Sequence, residues 1–263
     1  MKYNNQQYFD FHWKHRSGKT IENPFIAQKI DIISDIIPKN VNTIVDIGCG
    51  DGTITNILAK RFKVIGLDYS IEALKNLTTL AICSSADEIG LRDKCVDLVL
   101  SSEMLEHLND NSFVKAIFEM KRVSRRYILI TVPNNEKLRR RYTKCRTCGS
   151  EFHVYYHLRS FNLNKLISNF DDYNVCYFTS SGPLELNSFD MISHLKNKLA
   201  NSYFSVGHPI KCVNCASIVD LSTHRRNLFQ KIVGKFLDSS QGILNIMLNK
   251  KPQPYWLIVL FEI

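Results

Sequence analysis

From about residue 43 the chain alternates short apolar, β-branched runs with amphipathic stretches at helical spacing. This alternation is typical of βαβ units around a parallel sheet. Strands are predicted at residues 43–47, 62–68, 80–84, 96–101, 127–132, 175–179 and 255–263, and helices at residues 24–37, 53–61, 71–77, 112–123 and 163–170. The pattern therefore predicts an α/β fold with a doubly wound, mostly parallel, seven-stranded sheet.

The alternation lapses twice after Pro133, and the two lapses predict inserts in the α/β domain. The first insert opens with a basic run, and the second is too long for a simple loop. An N-terminal helical lid carrying Tyr8, Trp13 and Arg16 is predicted to precede the sheet. The predicted divisions are 1–40 for this lid, 41–134 for the core, 135–161 for the first insert, 162–181 for the core continuation, 182–254 for the second insert and 255–263 for the final core strand.

Length and charge restrict the class of protein. With 263 residues, 44% of them hydrophobic, the chain can bury a large core. Its net charge of +9 favours an acidic partner, such as a phosphate-bearing substrate, nucleic acid or an anionic membrane surface. Neither a signal peptide nor a transmembrane segment is predicted, so we expect a cytoplasmic protein. Residues 227–250 have the pattern of an amphipathic helix, for which packing against the domain is favoured over membrane contact.

Four of the eight cysteines form two CxxC pairs, one in each predicted insert. They are Cys145, Cys148, Cys212 and Cys215. In a reducing compartment such pairs are better interpreted as metal ligands than as disulfides. Four thiolates leave no open coordination position, so the sequence predicts a structural Zn²⁺ that joins the inserts into a zinc-binding subdomain.

A glycine-rich loop follows the first predicted strand and opens a helix. Gly48 and Gly50 allow close approach of a ligand to the backbone, while Asp46 and Asp51 make the loop acidic. An acidic loop would repel a pyrophosphate, whereas the sulfonium and ammonium groups of S-adenosylmethionine (SAM) are attracted to it. Asp68 follows Gly50 by 18 residues at a strand end, where a carboxylate can hold a ribose diol.

The segments DIGCGDG, GLDYS, VDLVLSSEMLEHL and ITVPN, in this order, resemble the motifs of class I SAM-dependent methyltransferases, which have a Rossmann-like fold. The resemblance implies that Asp46, Gly48 and Gly50 contact the methionine part and that Asp68 binds the ribose. Where many relatives have Asp beside the adenine, this chain has Ser85, so the contact falls on Asp87 or on backbone amides. The predicted cofactor-binding residues are Asp46, Gly48, Cys49, Gly50, Asp68, Tyr69, Ala86, Asp87 and Ser102.

The predicted catalytic residues are Glu103, His107, His157 and Arg159. Glu103 and His107 follow a predicted strand end, where ligands of open α/β sheets bind. One of them is interpreted as a base or substrate contact; alternatively, Glu103 borders the methionine part and His107 packs. His153 and His157 have the spacing of a metal pair, but a substrate or structural role is favoured. An NPPY or DPPY signature is absent, which favours an oxygen acceptor.

The SAM motifs combined with CRTCG, HLRSF, a second CxxC and an apolar final strand resemble zinc-knuckle-containing methyltransferases encoded with bacterial capsule and lipopolysaccharide genes. This resemblance implies an O-methyltransferase acting on a hydroxyl or phosphoryl-type oxygen of a small or sugar-linked, phosphorylated precursor. The alternatives are an RNA-binding or RNA-methylating protein and a SAM-binding subunit without chemistry of its own. Nucleic acid is the less favoured partner because no RNA-binding motif is present.

Overall fold

The computed structural model describes residues 5–15, 23–186, 189–219 and 226–263. The predicted lid residue Arg16 lies outside these residues. In chain order the helices are α1 (Asn5–His15), α2 (Pro24–Ile36), α3 (Thr53–Leu58), α4 (Ile71–Leu74), α5 (Asp110–Val123), α6 (Leu163–Ile167), α7 (Asp190–Ala200) and α8 (Leu228–Met247). The strands are β1 (Thr43–Ile47), β2 (Lys63–Asp68), β3 (Leu80–Cys83), β4 (Val96–Ser102), β5 (Ser124–Pro133), β6 (Tyr142–Lys144), β7 (Glu151–His153), β8 (Asn174–Glu185), β9 (Ile210–Lys211), β10 (Ile218–Val219) and β11 (Gln253–Glu262). Single-turn 3₁₀ helices span Leu105–His107 and Leu138–Arg141.

Seven strands form one mixed sheet in the order β3-β2-β1-β4-β5-β11-β8. The pairs among the first five strands are parallel, whereas β11 runs antiparallel to both β5 and β8. The strand order reverses between β1 and β4, so the crevice at their carboxyl ends is where a doubly wound sheet binds ligands. The predicted Rossmann-like α/β fold with a mostly parallel seven-stranded sheet is confirmed.

The central strands β1, β4 and β5 are buried on both faces, which explains their nearly continuous apolar runs. The side chains of successive residues in β1 and β5 lie on opposite faces of the sheet. Ile44 and Leu129 pack with α2 and α3 on one face, while Val45 and Ile130 pack with α5 on the other. This alternation holds the strand ends rigidly beneath the loops that follow them.

Element boundaries differ from prediction where long-range pairing or packing decides them. The strand predicted at 175–179 extends over Asn174–Glu185 because β11 pairs along its length. The helices predicted at 53–61 and 71–77 end at Leu58 and Leu74, and α7 was not predicted. Local periodicity is weak at each of these positions, so tertiary contacts set the boundary.

Helix α8 corresponds to the amphipathic helix predicted at 227–250. It begins with a capping box in which Asn227 and Gln230 exchange hydrogen bonds. It packs beside α7 and buries Gly234. Several of its apolar side chains are exposed, among them Phe229, Ile232, Phe236, Ile246 and Met247. Within the described residues, a helix of the length and apolarity needed to cross a bilayer is absent.

Candidate active site

The loop after β1 turns so tightly that two of its glycines have no room for a side chain. Its first amides, those of Gly48 and Cys49, donate to the Leu67 carbonyl at 2.7 and 3.0 Å. Gly48 and Gly50 have φ of +74° and +55°. A Cβ on Gly48 would lie 2.4 Å from Met104, and one on Gly50 would lie 2.6 Å from the Trp13 ring of α1. The loop therefore exposes backbone to a ligand beneath α1.

Asp68, at the end of β2, is held by the backbone of this loop. Its Oδ2 accepts a 2.8 Å hydrogen bond from the Gly50 amide, and its Oδ1 accepts one of 2.8 Å from the Ser70 amide. Burial raises the pKa of the Asp68 carboxyl group. Each carboxylate oxygen keeps a second lone pair, so the residue can still accept hydrogen bonds from two hydroxyl groups of a ribose.

Asp46 lies beneath the loop and is almost fully buried. Its Oδ2 accepts a 2.7 Å hydrogen bond from the Thr55 hydroxyl group, but its Oδ1 has no partner among the described residues. Burial raises the pKa of Asp46 to about 7. Leaving a buried oxygen without a hydrogen bond is costly, and Lys29 acts on Asp46 electrostatically without forming that bond, so Oδ1 remains available to a donor on a ligand.

A cavity of about 600 Å³ lies against the ends of β1, β2 and β4. Its lining includes the predicted residues Gly48, Asp68, Tyr69, Ala86 and Asp87, together with Ser84, Ser85, Glu88, Glu103, Met104, His107, Phe9 and Trp13. Four of these side chains are acidic, and within the described lining there is no lysine or arginine. The cavity therefore has the charge expected of a site for a cationic ligand such as SAM.

A second cavity of about 480 Å³ adjoins the first, since Phe9, Trp13, Gly48, Glu103 and His107 line both. The predicted residues Cys49, Gly50, Ser102 and His157 belong to this second lining, together with Lys29, Arg141, Tyr155, Tyr255 and Trp256. Asp46 lies behind both linings rather than in them. The charged residues of this second lining are two cations, Lys29 and Arg141, and three carboxylates, Asp51, Glu103 and Glu185. The two cavities meet at one point, and of the two described linings only the second contains a lysine or an arginine.

Glu103 stands at that meeting point in a left-handed backbone conformation, with φ of +57°. Its Oε2 accepts a 2.8 Å hydrogen bond from the Trp256 indole, and its Oε1 accepts one of 3.1 Å from the Thr131 hydroxyl group. Ser102 is hydrogen bonded to the same Thr131 hydroxyl group at 2.8 Å. These contacts from β5 and β11 fix the Glu103 carboxylate between the two cavities.

The histidines His107 and His157 lie with ring centroids 4.8 Å apart beside the meeting point. His107 has Nδ1 3.4 Å from the Tyr156 carbonyl oxygen, and His157 has Nδ1 2.5 Å from Oε2 of Glu136. Burial lowers the pKa of His107 well below its ordinary value. Both rings therefore use Nδ1 for support and keep Nε2 for another partner.

Arg159 was predicted as catalytic, but the structure places it outside both cavity linings. Its guanidinium donates to the Leu108 carbonyl at 2.6 Å and to Asp110 at 3.0 Å, and it lies 4.0 Å from the centroid of the Phe113 ring. Arg159 thus connects the loop after the first 3₁₀ helix to α5. Its sequence proximity to His157 did not bring it to the site because the chain turns away between them.

Three residues that line or support the second cavity were not predicted from sequence. Lys29 of α2 is buried with its Nζ 4.3 Å from the centroid of the Trp256 ring, and Glu136 supports His157. For Lys29, the sequence did offer a signal, namely a lysine on the apolar face of a short helix. For Glu136 and Trp256 the sequence offered no signal, because their roles depend on pairing between distant segments.

The two CxxC pairs meet at the tips of two small hairpins, β6–β7 and β9–β10. The sulfur atoms of the four cysteines lie within 4.8 Å of one another, with Cys145 and Cys215 at 3.7 Å and Cys148 and Cys212 at 3.6 Å. Tetrahedral zinc with Zn–S bonds of about 2.3 Å would separate its sulfurs by about 3.8 Å. The arrangement therefore fits a four-thiolate metal site.

The two CxxC turns, or knuckles, at residues 145–150 and 212–217 share one backbone geometry. Cys145 and Cys212 each donate an amide hydrogen bond of 2.9 Å to the serine carbonyl five residues later, and each accepts one of 2.9 Å from the residue four positions later. That fourth residue is left-handed in both knuckles, Gly149 with φ of +73° and Ala216 with φ of +61°. Equivalent turns of this kind bring both cysteine pairs to a common centre.

Helix α1 connects the cysteine hairpins with the cavities. The Tyr8 hydroxyl group donates a 3.0 Å hydrogen bond to the Val154 carbonyl just after β7, and Lys211 of β9 lies over the Phe11 ring. On the same helix, Phe9 and Trp13 line both cavities. Helix α1 therefore contacts both the cavities and the hairpins that carry the cysteines, and its action as a lid stays a prediction.

Comparison with known proteins identifies the central part of the chain. Residues 45–127 match a family described as a methyltransferase domain. An uncharacterised protein of Methanocaldococcus jannaschii is 34% identical over 99 residues, and trans-aconitate 2-methyltransferase of Pseudomonas aeruginosa is 30% identical over 89 residues. These alignments cover 36% and 31% of this chain, and 42% and 32% of the relatives. The chain thus matches less than half the length of either curated relative.

Solved structures extend the likeness to the whole fold. A SAM-dependent methyltransferase from Archaeoglobus fulgidus has a TM-score of 0.53 and 16% identity, covering 97% of this chain and 99% of its own. A chain from the complex between the Haloferax volcanii Trm112 methyltransferase activator and a methyltransferase has a TM-score of 0.55 and 14% identity, covering 97% and 96%. At these identities the likeness concerns the fold.

Proposed function

Because the chain carries a class I SAM-dependent methyltransferase domain, we propose that it transfers a methyl group from SAM to an oxygen atom of a small or sugar-linked, negatively charged acceptor. The observation that carries this proposal is the junction at Gly48, Glu103 and His107 of two cavities, an acidic one without lysine or arginine in its described lining and a second one that contains Lys29 and Arg141. A cationic donor and an anionic acceptor would meet there. Alignment of the two reactants is the main requirement of methyl transfer.

The acidic cavity would hold the cofactor. Asp68 would accept hydrogen bonds from the ribose hydroxyl groups, and Asp87 with the neighbouring Ala86 backbone would contact the adenine. Asp46, whose Oδ1 has no described partner, would face the ammonium group across the Gly48–Gly50 backbone. The sulfonium of SAM supplies the methyl group, and every other group of this site acts by holding it in place.

The second cavity would hold the acceptor. Lys29 lies near enough to Asp46 and Glu106 to act on them electrostatically but forms no ion pair within 4.0 Å among the described residues, whereas Arg141 already pairs with Glu136 and Glu185. Lys29 is therefore the better anion-binding group. We propose that His107 and His157, which line this cavity, position the acceptor oxygen, and that Glu103 aligns the cofactor beside them.

The acceptor class we propose is a phosphorylated precursor of a bacterial surface polysaccharide, methylated in the cytoplasm. Its support is the resemblance of CRTCG, HLRSF and the second CxxC to methyltransferases of such gene clusters, together with the net charge of +9. Trans-aconitate 2-methyltransferase, by its name, acts on a small carboxylic acid, which supports an anionic acceptor without identifying it. Small di- and tricarboxylates therefore belong in the same acceptor test.

RNA is the second acceptor class to be tested. The expectation that nucleic acid is not a partner gains no support from the comparisons, since one similar structure is a methyltransferase complex with the activator Trm112. That neighbour also supports testing whether a partner subunit is needed for turnover. A SAM-binding subunit without chemistry of its own predicts binding of the cofactor and no product with any acceptor.

We also propose that the four cysteines hold a structural Zn²⁺, as their spacing suggests. The hydroxyl groups of Ser217 and Ser150 lie 3.3 and 3.2 Å from the sulfurs of Cys145 and Cys148. Such donors stabilise thiolate ligands from outside the coordination shell. The metal would hold both hairpins together beneath α1, and thereby hold Phe9 and Trp13 over the cavities.

The proposed function is tested by following the formation of S-adenosylhomocysteine from SAM with three acceptor sets: nucleotide sugars and sugar phosphates, small carboxylates, and unmodified RNA. We expect turnover with a phosphorylated or carboxylated small molecule, and an O-methyl signal in the NMR spectrum of the product. Turnover with RNA alone would replace the proposed acceptor class. SAM binding by calorimetry without turnover in any set would favour a subunit without chemistry.

A further inference from the structure

A second group of potential metal ligands lies apart from the cysteines, at the junction of the two cavities. Glu106 and His107 belong to the 3₁₀ helix after β4, and His157 follows β7. One donor atom from each of these three residues lies within 4.8 Å of the other two. The segments are tied together by the Leu158 amide, which donates a 2.8 Å hydrogen bond to the Glu106 carbonyl.

Glu106 is unusual because both of its carboxylate oxygens are buried and have no hydrogen-bond partner among the described residues. The residue has 0% exposure. Its Oε1 lies 4.0 Å from Nε2 of His157, which is too far for a hydrogen bond. Leaving such a group unpaired costs several kcal/mol unless it is neutralised or binds a cation. Lys29 acts on Glu106 electrostatically but forms no hydrogen bond with it, so both carboxylate oxygens are available to a bound cation.

The two histidines carry the supports that are typical of metal-binding histidines. A metal-bound imidazole usually donates its other N–H to a carboxylate or a backbone carbonyl. His157 has Nδ1 2.5 Å from a Glu136 oxygen, and His107 has Nδ1 3.4 Å from the Tyr156 carbonyl oxygen. Both supports fix the tautomer that leaves Nε2 as a lone-pair donor. Glu136 is itself held by Arg141, so the outer partner of His157 cannot turn away.

We propose that Glu106, His107 and His157 bind one divalent transition-metal ion, Zn²⁺ being the best match to two imidazoles and one carboxylate. Zinc at about 2.0–2.1 Å from each donor would hold them about 3.4 Å apart, so the donors must approach by about one ångström. Three protein ligands leave a coordination position open. This site is separate from the four thiolates, which form a closed shell.

The open position faces the cavity that we assign to the acceptor, because His107 lines both cavities and His157 lines the second. This part of the inference rests on the proposed function. A divalent ion lowers the pKa of a coordinated hydroxyl group, whose proton passes to solvent. The acceptor oxygen then forms a bond to the methyl carbon while the carbon–sulfur bond breaks, and its electron pair goes to sulfur to give S-adenosylhomocysteine.

The metal content of the full chain tests the site without SAM or acceptor, so its result is independent of the proposed methyl transfer. After dialysis against zinc-buffered solution, we expect two zinc ions per wild-type chain by mass spectrometry. The variants Glu106→Gln and His157→Asn should each bind one. His194→Gln is the matched control, since His194 lies beside Arg139 away from the cluster, and it should keep two.

Circular dichroism and the melting temperature establish whether each variant is folded. If Glu106→Gln binds as much zinc as the wild type, or if the wild type binds only the ion lost in Cys145→Ser, the proposal is overturned. Glu106 would then be a neutral buried carboxylic acid. If the second ion is present but its removal leaves turnover unchanged, the metal site is confirmed and its contact with the acceptor is rejected.

Discussion

The Nδ1 atom of His157 lies 2.5 Å from Oε2 of Glu136, and both side chains are buried. Glu136 lies just after β5 and His157 after β7, so the pair joins two segments at the edge of the second cavity. Burial opposes ionisation of Glu136, but hydrogen bonds to His153 and His157 lower its pKa, and the contact with His157 fixes the direction of that imidazole. It thereby decides that Nε2, and not Nδ1, is presented to the site.

The ribose assignment is tested by Asp68→Asn. We expect the dissociation constant for SAM to rise about 10- to 100-fold, because hydrogen bonds to a charged acceptor contribute about 1.5–3 kcal/mol each. Titration calorimetry with SAM and S-adenosylhomocysteine measures the effect. Glu72→Gln is the matched control, since Glu72 pairs with Lys75 outside both cavity linings, and it should leave the affinity unchanged. Equal affinity of the Asp68 variant and the wild type would remove the ribose assignment.

The anion-binding role of Lys29 is tested by Lys29→Met, which preserves the length of the side chain over Trp256. We expect the KM for the acceptor to rise about tenfold or more, with the SAM affinity unchanged, since Lys29 lines only the second cavity. Steady-state kinetics with the acceptor found in the screen measures both. Lys231→Met on α8 provides the control. A rise in the SAM dissociation constant instead would place Lys29 on the cofactor side.

Asp46 is predicted to make the stability of the free protein fall as the pH rises. Its folded pKa of about 7 exceeds the unfolded value of about 3.9, so the folded state binds more protons between these values. The stabilisation is complete below about pH 4 and is lost as the pH rises through about 7. Asp46→Asn lacks this titration. Relative to the wild type, it should gain about 2 to 3 kcal/mol of unfolding free energy between pH 5 and pH 8.

Urea denaturation at the two pH values, in the absence of SAM, measures this difference. The same variant should bind SAM more weakly, because the carboxylate would no longer face the ammonium group. A gain in stability with a loss of affinity is typical of a residue retained for function. Parallel pH profiles for the variant and the wild type would contradict the buried titration of Asp46.

The structural zinc is tested by Cys145→Ser. We expect loss of one metal ion per chain and a lower melting temperature, because the metal joins two hairpins that share only a small apolar cluster. Cys176→Ser is the matched control, since Cys176 lies in β8 far from the hairpins in sequence. Mass spectrometry and calorimetry provide the measurements. Unaltered metal content together with an unaltered melting temperature would contradict the zinc proposal.

Because the two CxxC turns share one backbone geometry, we expect substitutions at their equivalent positions 149 and 216 to change the stability of the protein in opposite directions. Ala216 has φ of +61°, a conformation that costs an L-residue about 1 kcal/mol and costs glycine little. Ala216→Gly should therefore stabilise the protein by about 0.5–1 kcal/mol, and Gly149→Ala should destabilise it by a similar amount. Space is available at Gly149, where an added Cβ would meet nothing within 4 Å, so the comparison isolates the backbone. Thermal denaturation of both variants measures these changes in stability.

Much of the fold could be predicted from the sequence. The strands β1, β2, β4 and β5 were expected within a few residues of their observed bounds, because two-sided burial demands continuous apolar runs. The glycine loop and Asp68 could likewise be placed at strand ends, although their contacts with a cofactor stay predictions. Arg159 shows the limit of this reasoning, since its distance from His157 in sequence is small and its position is outside both cavities.

The sequence by itself determined the α/β class, the order of the apolar strands and the positions of the tight turns, because periodicity and turn chemistry depend on neighbouring residues. Only the tertiary structure decided that β11 inserts antiparallel between β5 and β8, and that Lys29 reaches the second cavity. It also decided that Glu106 and His157 lie near each other without a hydrogen bond. Such relationships arise from packing between segments far apart in the chain, for which local sequence carries no signal.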